Sequence, residues 1–233
     1  MSCKKMSAIA LAAGCSVAAI ESASADVNYA YYTTTAIDGS ITATVTSGSG
    51  VNVYTPSPSQ IFLLDSTFAV LQLAWCIDIA TPLAQSGSYG VDPGALPANP
   101  GAIGALVYNG NQLLAGIDPV NGAGSITQQQ QIDSEAIQLA IWDVEYNTAG
   151  SSIVYSGVDA DVLTAANTYL QNVTGGTWAA NPNIEALSAD GTQTLIAAAA
   201  APEASTWVMA LVGFAALGAA GYRRPSAPSA SRA

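Results

Sequence analysis

Apolar and hydroxyl side chains alternate strictly through Ile41-Thr42-Ala43-Thr44-Val45-Thr46, which predicts a strand with one buried face. Turn signals at 47 to 50 and 56 to 58 bracket it, and the whole stretch from 26 to 66, rich in Thr, Ser, Tyr and Val, reads as strands. Three threonines on one strand face are read as a solvated edge, not as an ice-binding array. The run from 68 to 80 predicts a further strand. Alternation places Leu71, Leu73, Trp75, Ile77 and Ile79 on a core face, with Gln72, Ala74, Cys76 and Asp78 on the other. Cys76 thus projects from the less apolar face, beside a carboxylate two residues on.

Residues 82 to 101 are dense in Pro and Gly and read as a long loop. Short helical pieces are expected at 102 to 108 and 112 to 117, separated by Asn109-Gly110. The strongest helix signal runs from 133 to 146, with Asp133 or Ser134 as N-cap and the glutamines at 128 to 131 as a polar lead. Around Gln138 that helix is apolar on nearly every side, so it should be buried all round. A buried carboxamide needs partners or a chemical change, which singles out Gln138. A further helix is expected at 158 to 173 and strands again from 177 to 196. The fold class is α+β: a β-rich sandwich or barrel-like sheet system with a small helical subdomain carrying Gln138.

Charge narrows the functions available. The five bases, Lys4, Lys5, Arg223, Arg224 and Arg232, all lie near the ends, while fourteen of the sixteen acids fall between 26 and 201. Such a field repels phosphate backbones and excludes nucleic acid as a partner. Histidine is absent, which removes Ser-His-Asp and Cys-His catalysis and every zinc site that needs an imidazole. Asp118, Asp159, Asp161 and Asp190 stand in turn-like contexts without a calcium-loop pattern and read as solvated turns. No metal or dissociable cofactor is implied. Asp78, Asp143 and Glu145 are the carboxylates a sugar-cleaving enzyme would recruit, but they form no recognisable pair. The chain is therefore read as a non-enzyme.

The two ends read as addresses. Lys4 and Lys5, an apolar run from 6 to 20, and Ala23-Ser24-Ala25 before Asp26 have the order of a secretory signal peptide, 1 to 25, cut between Ala25 and Asp26. Cys15 offers a competing lipidation site, although Ala12 stands where such sites prefer Leu. After an exported domain from 26 to 200, the tail from 201 to 225 holds Pro202, Glu203 and Ala204, an uncharged segment from 204 to 222, then Arg223 and Arg224; 226 to 233 is expected to be a disordered cytoplasmic tail. Nineteen uncharged residues are close to a membrane span, and the arginines behind them would stay cytoplasmic. This order resembles the PEP-CTERM sorting signal of Gram-negative bacteria, a tail also labelled an ice-binding protein C-terminal domain. The resemblance implies processing by exosortase, a membrane transpeptidase, and delivery from the inner membrane to the cell surface or extracellular matrix. Ala204 replaces the usual second Pro, and residues 225 to 233 extend past the arginines.

Once Cys3 and Cys15 leave with the signal peptide, Cys76 is the only cysteine, so no internal disulfide can form. A lone thiol in an oxidising compartment is expected to be buried, paired between chains or capped. Trp75-Cys76-Ile77-Asp78, Leu106-Val107-Tyr108-Asn109-Gly110 and Ile137-Gln138-Leu139-Ala140-Ile141-Trp142 together resemble the bacterial surface thioester domain. Trp75 stands for the commoner Tyr, Phe or Leu, and Ile137 for a frequent Thr. The resemblance implies an internal thioester, with its Cys and Gln motifs mapped onto Cys76 and Gln138, on an adhesion module that captures an amine-bearing surface protein or polymer. The other reading is a structural surface or exopolysaccharide-matrix protein in which Cys76 is an inert core thiol and Gln138 a bonded core amide.

Overall fold

The computed structural model describes residues 27–33, 40–64, 70–83, 86–117, 126–199, 212–215 and 217. The signal peptide with Ala25 and Asp26, the motif Pro202, Glu203 and Ala204, the flank Arg223 and Arg224, and Asp118 lie outside them, as does most of the segment from 204 to 222. Among the described residues no helix is long and apolar enough to cross a membrane.

Six strands close into an antiparallel barrel. They are β1 (Val27–Thr33), β4 (Ile61–Leu64), β5 (Val70–Cys76), β9 (Leu195–Ala198), β8 (Ile184–Ser188) and β6 (Ser86–Val91), in that order around the wall. A separate three-stranded sheet sets β2 (Thr42–Ser47) between β3 (Gly50–Tyr54) and β7 (Ser151–Ser156). The β2–β3 hairpin turns where Gly50 takes φ +135°, a conformation that L side chains rarely adopt. As the alternation predicts, Ala43 and Val45 are buried. Thr44 and Thr46 face outward, sharing that surface with the exposed Val51, Val53 and Val154.

Three helices pack beside the sheets: α1 (Pro100–Leu113), α2 (Gln128–Tyr146) and α3 (Ala160–Thr174). The α+β class holds, with antiparallel sheets and few helices. Helix α2 is buried along every residue from Ile132 to Trp142, as its all-round apolar pattern requires. Its start differs from the expectation at Asp133 or Ser134. Thr127 is the N-cap and forms a capping box with Gln130, so the glutamine run is the first helical turn. Asp133 instead accepts from the Tyr169 hydroxyl of α3 at 2.6 Å and from Gln129 Nε2 at 2.8 Å.

Two further expectations are corrected. The Pro/Gly-rich stretch is not all loop, since Ser86–Val91 forms β6 between β1 and β8. Its glycines hide any strand signal, and the barrel's need for closing neighbours overrides weak local propensity. Helix α1 does not break at Asn109-Gly110. Gly110 is buried there, and a Cβ on it would stand 2.9 Å from Ile137 Cγ2 and 3.0 Å from Trp75 Cζ2. Asn109 bonds back to the Ala105 carbonyl at 2.8 Å, within the helix.

Gly104, one α1 turn and a half earlier, is tighter still, because its Cβ would lie 1.7 Å from the Asn181 carbonyl oxygen. Backbone cannot swing aside as a side chain does, so Gly104→Ala is expected to destabilise the domain by about 2–3 kcal/mol. A denaturant midpoint matching wild type would refute this close approach.

Candidate functional site

Strand β5 has apolar neighbours on both faces. Trp75 packs with Leu106 and Ile137, while Ala74 and Cys76 belong to a second cluster with Ile61, Leu139 and Trp142. The face expected to be less apolar is thus a core of its own, and Cys76 is only 7% exposed. The strand ends at Cys76, so alternation lapses and Ile79 falls into the Cys76 cluster instead of the Trp75 one.

The end of β5 creates the setting for Gln138. On one side Cys76 stands opposite Leu195 of β9, and Ile77 N donates to the Thr194 carbonyl at 3.1 Å. On the other side β4 begins only at Ile61, opposite Ala74, so no strand runs beside Cys76 there. Gln138 fills that place. Its Oε1 accepts from Cys76 N at 3.0 Å, and its Nε2 donates to the Cys76 carbonyl at 2.7 Å. One carboxamide therefore replaces a neighbouring strand and satisfies two main-chain groups that burial would leave unpaired. Nearby, Gln60 N donates to Ser134 Oγ at 2.8 Å, and Asn111 Oδ1 accepts from Gln60 Nε2 at 3.0 Å and Trp75 Nε1 at 3.2 Å. These bonds lock α1 and α2 to the barrel.

The sulfhydryl hydrogen bond goes to another residue. Cys76 Sγ donates to Gln193 Oε1 at 2.8 Å. Gln193 lies just before β9 and is 6% exposed. Its main-chain N donates to the Pro82 carbonyl at 3.2 Å, and its Nε2 donates to the Asp78 carbonyl. Two carboxamides therefore meet Cys76: that of Gln138 at its main chain and that of Gln193 at its sulfur. Nothing local in Thr192-Gln193-Thr194-Leu195-Ile196 marks this role, since a glutamine entering an apolar strand is ordinary.

A cavity of about 560 Å³ opens onto this pair, with Tyr54, Pro56, Leu83 and Trp142 among its walls. None of its lining residues carries a formal charge. Burial pushes the Cys76 thiol well above its ordinary range, and the nearby Asp78 charge adds to the effect. The Asp78 carboxylate itself closes a turn, accepting from Ala80 N at 2.8 Å and Thr81 N at 3.3 Å. Asp143 accepts from Asn147 Nδ2, and burial raises both Asp143 and Glu145. Two positions apart on α2, these acids point to different sides of the helix and form no catalytic pair. Asp159 caps α3 by accepting from Asp161 N at 2.8 Å. Among the described residues no group of three or more Cys, Asp or Glu is placed to hold a metal ion.

No family model matches the sequence. No curated protein matches it either. Among solved structures, a thioester domain of the Staphylococcus aureus TIE protein is similar at 11% identity and a TM-score of 0.35, covering 76% of this chain and 80% of that one. Likeness at that level is no guide to chemistry.

The raised acidities have a consequence for alkaline stability. Folded Cys76 holds its proton above the ordinary 9.0, and Tyr146, raised mainly by burial, holds its own to about 12 instead of 10.0. The unfolded chain releases these protons first, so stability is complete below the unfolded values and falls as pH rises past them. With a free thiol the melting temperature is expected to begin falling near pH 9.0. With the sulfur acylated there is no thiol proton to lose, and onset moves to the tyrosines near pH 10.0. Melting curves across that range check both onsets.

Proposed function

We propose that this chain is an exported cell-surface or matrix protein whose domain holds an acyl–sulfur bond between Cys76 and Gln193 and transfers that acyl group to an amine on a partner. The observation that carries the reading is the 2.8 Å contact of Cys76 Sγ with the Gln193 carboxamide at the cavity. In the forming step sulfur bonds to Gln193 Cδ, the C–N bond breaks, and the thiol proton leaves with the nitrogen as ammonia. No oxidant or metal is needed. Holding two groups in contact supplies up to about 7–11 kcal/mol of such a barrier. In the capture step an amine on a surface protein or polymer bonds to Cδ, the C–S bond breaks, and the amine's proton returns to sulfur. The absence of lysine between the ends keeps the domain from consuming its own acyl group.

Sorting is part of the same proposal. The order of Pro202, Glu203 and Ala204, an uncharged stretch and the Arg223-Arg224 pair supports an inner-membrane-anchored precursor that an exosortase-type transpeptidase processes. The protein is that enzyme's substrate and not itself an enzyme. One observation favours the rival reading, a structural matrix protein with an inert thiol: burial holds Cys76 protonated, which weakens it as a nucleophile.

Intact-mass measurement of the mature, non-reduced domain separates the two. A mass lower by one ammonia, replaced on treatment by one added methylamine and absent from Cys76→Ala, is expected. Full mass in every sample, with one thiol alkylated only after unfolding, would leave the inert-thiol reading in its place.

A further inference from the structure

Exposure grades the cavity from mouth to floor. Thr55, Ser57, Ala80 and Pro82 are exposed at its rim, whereas Ser59, Cys76 and Gln193 are 4%, 7% and 6% exposed. It is a half-open cup with the Cys76–Gln193 pair at its base. One wall is the chain leaving β3, from Tyr54 onward, and the other is the chain leaving β5, from Ile79 to Leu83. Both are pinned. The Pro56 carbonyl accepts from Ile41 N at 2.9 Å, the Pro82 carbonyl from Gln193 N at 3.2 Å, and Ile79 N donates to the Tyr146 hydroxyl at 3.1 Å. Walls fixed in this way need little ordering when a ligand enters.

Resting on the Cys76–Gln193 reading, we propose that the captured amine belongs to an amino sugar whose ring sits in this cup with its nitrogen toward Gln193 Cδ. At about 560 Å³ the space is of the size that small ligands occupy. The half-buried ring of Tyr54 stands in the wall with the hydroxyls of Thr55, Ser59 and Thr81. Neutral hydrogen-bonding groups beside an aromatic face match a ring with hydroxyls at its edge and C–H groups on its faces. A lysine side chain is slim and gains nothing from that width, and among the described lining residues no carboxylate receives its ammonium.

The lining also offers no base, and this decides the kind of amine. At about pH 7.4 a lysine-type amine, with a pKa of about 10.4, is unprotonated in only about one molecule in a thousand. Electron-withdrawing oxygens around the nitrogen of a 2-amino sugar acidify it, as the neighbouring carbonyl brings an α-amino group to about 7.7–8.0. Far more of it arrives as free base. Such an amine needs no acceptor in the wall: its nitrogen bonds to Gln193 Cδ, the C–S bond breaks, and one of its own protons passes to sulfur. Fourteen acids against no base between 26 and 201 disfavour acidic sugars and tolerate this one.

The test times capture of glucosamine and of methylamine by intact mass, on the ammonia-light protein and on a small thioester in solution, near neutral pH. The small thioester gives the preference that amine acidity alone produces. On the protein the preference for glucosamine is expected to be about tenfold greater, with a rate that saturates, and N-acetylglucosamine, which has no free amine, should slow capture competitively. Ala80→Trp, which adds bulk at the exposed rim, should bring the preference down to that of the small thioester. A protein preference within threefold of the small thioester's, with no saturation, overturns the sugar site and leaves the acyl–sulfur reading standing. A preference that survives Ala80→Trp undiminished overturns the assignment to this cup. A wild-type protein that never loses ammonia overturns both the sugar capture and the acyl–sulfur bond it rests on.

Discussion

Gln193→Ala is expected to abolish the ammonia-light species completely, leaving a folded domain of full mass with one free thiol at Cys76. The physical reason is that the acyl carbon of the proposed bond lies in the Gln193 side chain, whose Oε1 accepts from the Cys76 thiol, and alanine removes it. Lost with it are the bonds to the Cys76 sulfhydryl and the Asp78 carbonyl, so a modest destabilisation of about 1–3 kcal/mol accompanies the chemical loss. Methylamine should then add nothing. Intact mass with and without methylamine measures the effect directly. An ammonia-light product persisting in Gln193→Ala would mean that another carboxamide supplies the acyl group, and Gln138 would return as the candidate.

The second large effect belongs to Gln138 and is one of stability. Gln138→Ala strips the Cys76 N–H and C=O of their partners inside a core where Gln138 itself is 0% exposed. Each buried group left unpaired costs about 1–3 kcal/mol, and the space vacated by the side chain adds to this. A loss of about 3–6 kcal/mol is expected, a large part of what holds a domain of this size together. Urea unfolding of the variant with Gln193 intact provides the measurement. Any folded fraction should still lose ammonia, at a lower rate, because Cys76 is less firmly placed. A Gln138→Ala protein as stable as wild type would show that water replaces the carboxamide and that the strand-like pairing is dispensable.

Sequence pattern reached much of the architecture for a clear reason. A helix apolar on every side has no stable place except between other elements, so burial of α2 from Ile132 to Trp142 follows from composition alone. The alternation at Ile41 to Thr46 likewise yields β2 with its inward Ala43 and Val45. The importance of Gln138 was also legible, because a lone amide in such a helix must find partners. Its backbone partners were not. That its carboxamide meets the Cys76 main chain depends on where β4 stops alongside β5, a matter of register that local periodicity does not encode.

The sequence by itself determined the chemical inventory: no histidine, bases confined to the ends, and Cys76 as the only thiol of the domain. It also determined the strong elements, because hydrophobic period is a local property. Tertiary structure alone decided which residues meet. Gln193 reaches the sulfur from 117 positions away because β9 lies antiparallel to β5 with Leu195 opposite Cys76. The weak strand β6 exists because a barrel closes around it, and α1 passes through Gly110 because Trp75 and Ile137 leave no room for a side chain. These are facts of packing between distant segments, and no window along the chain contains them.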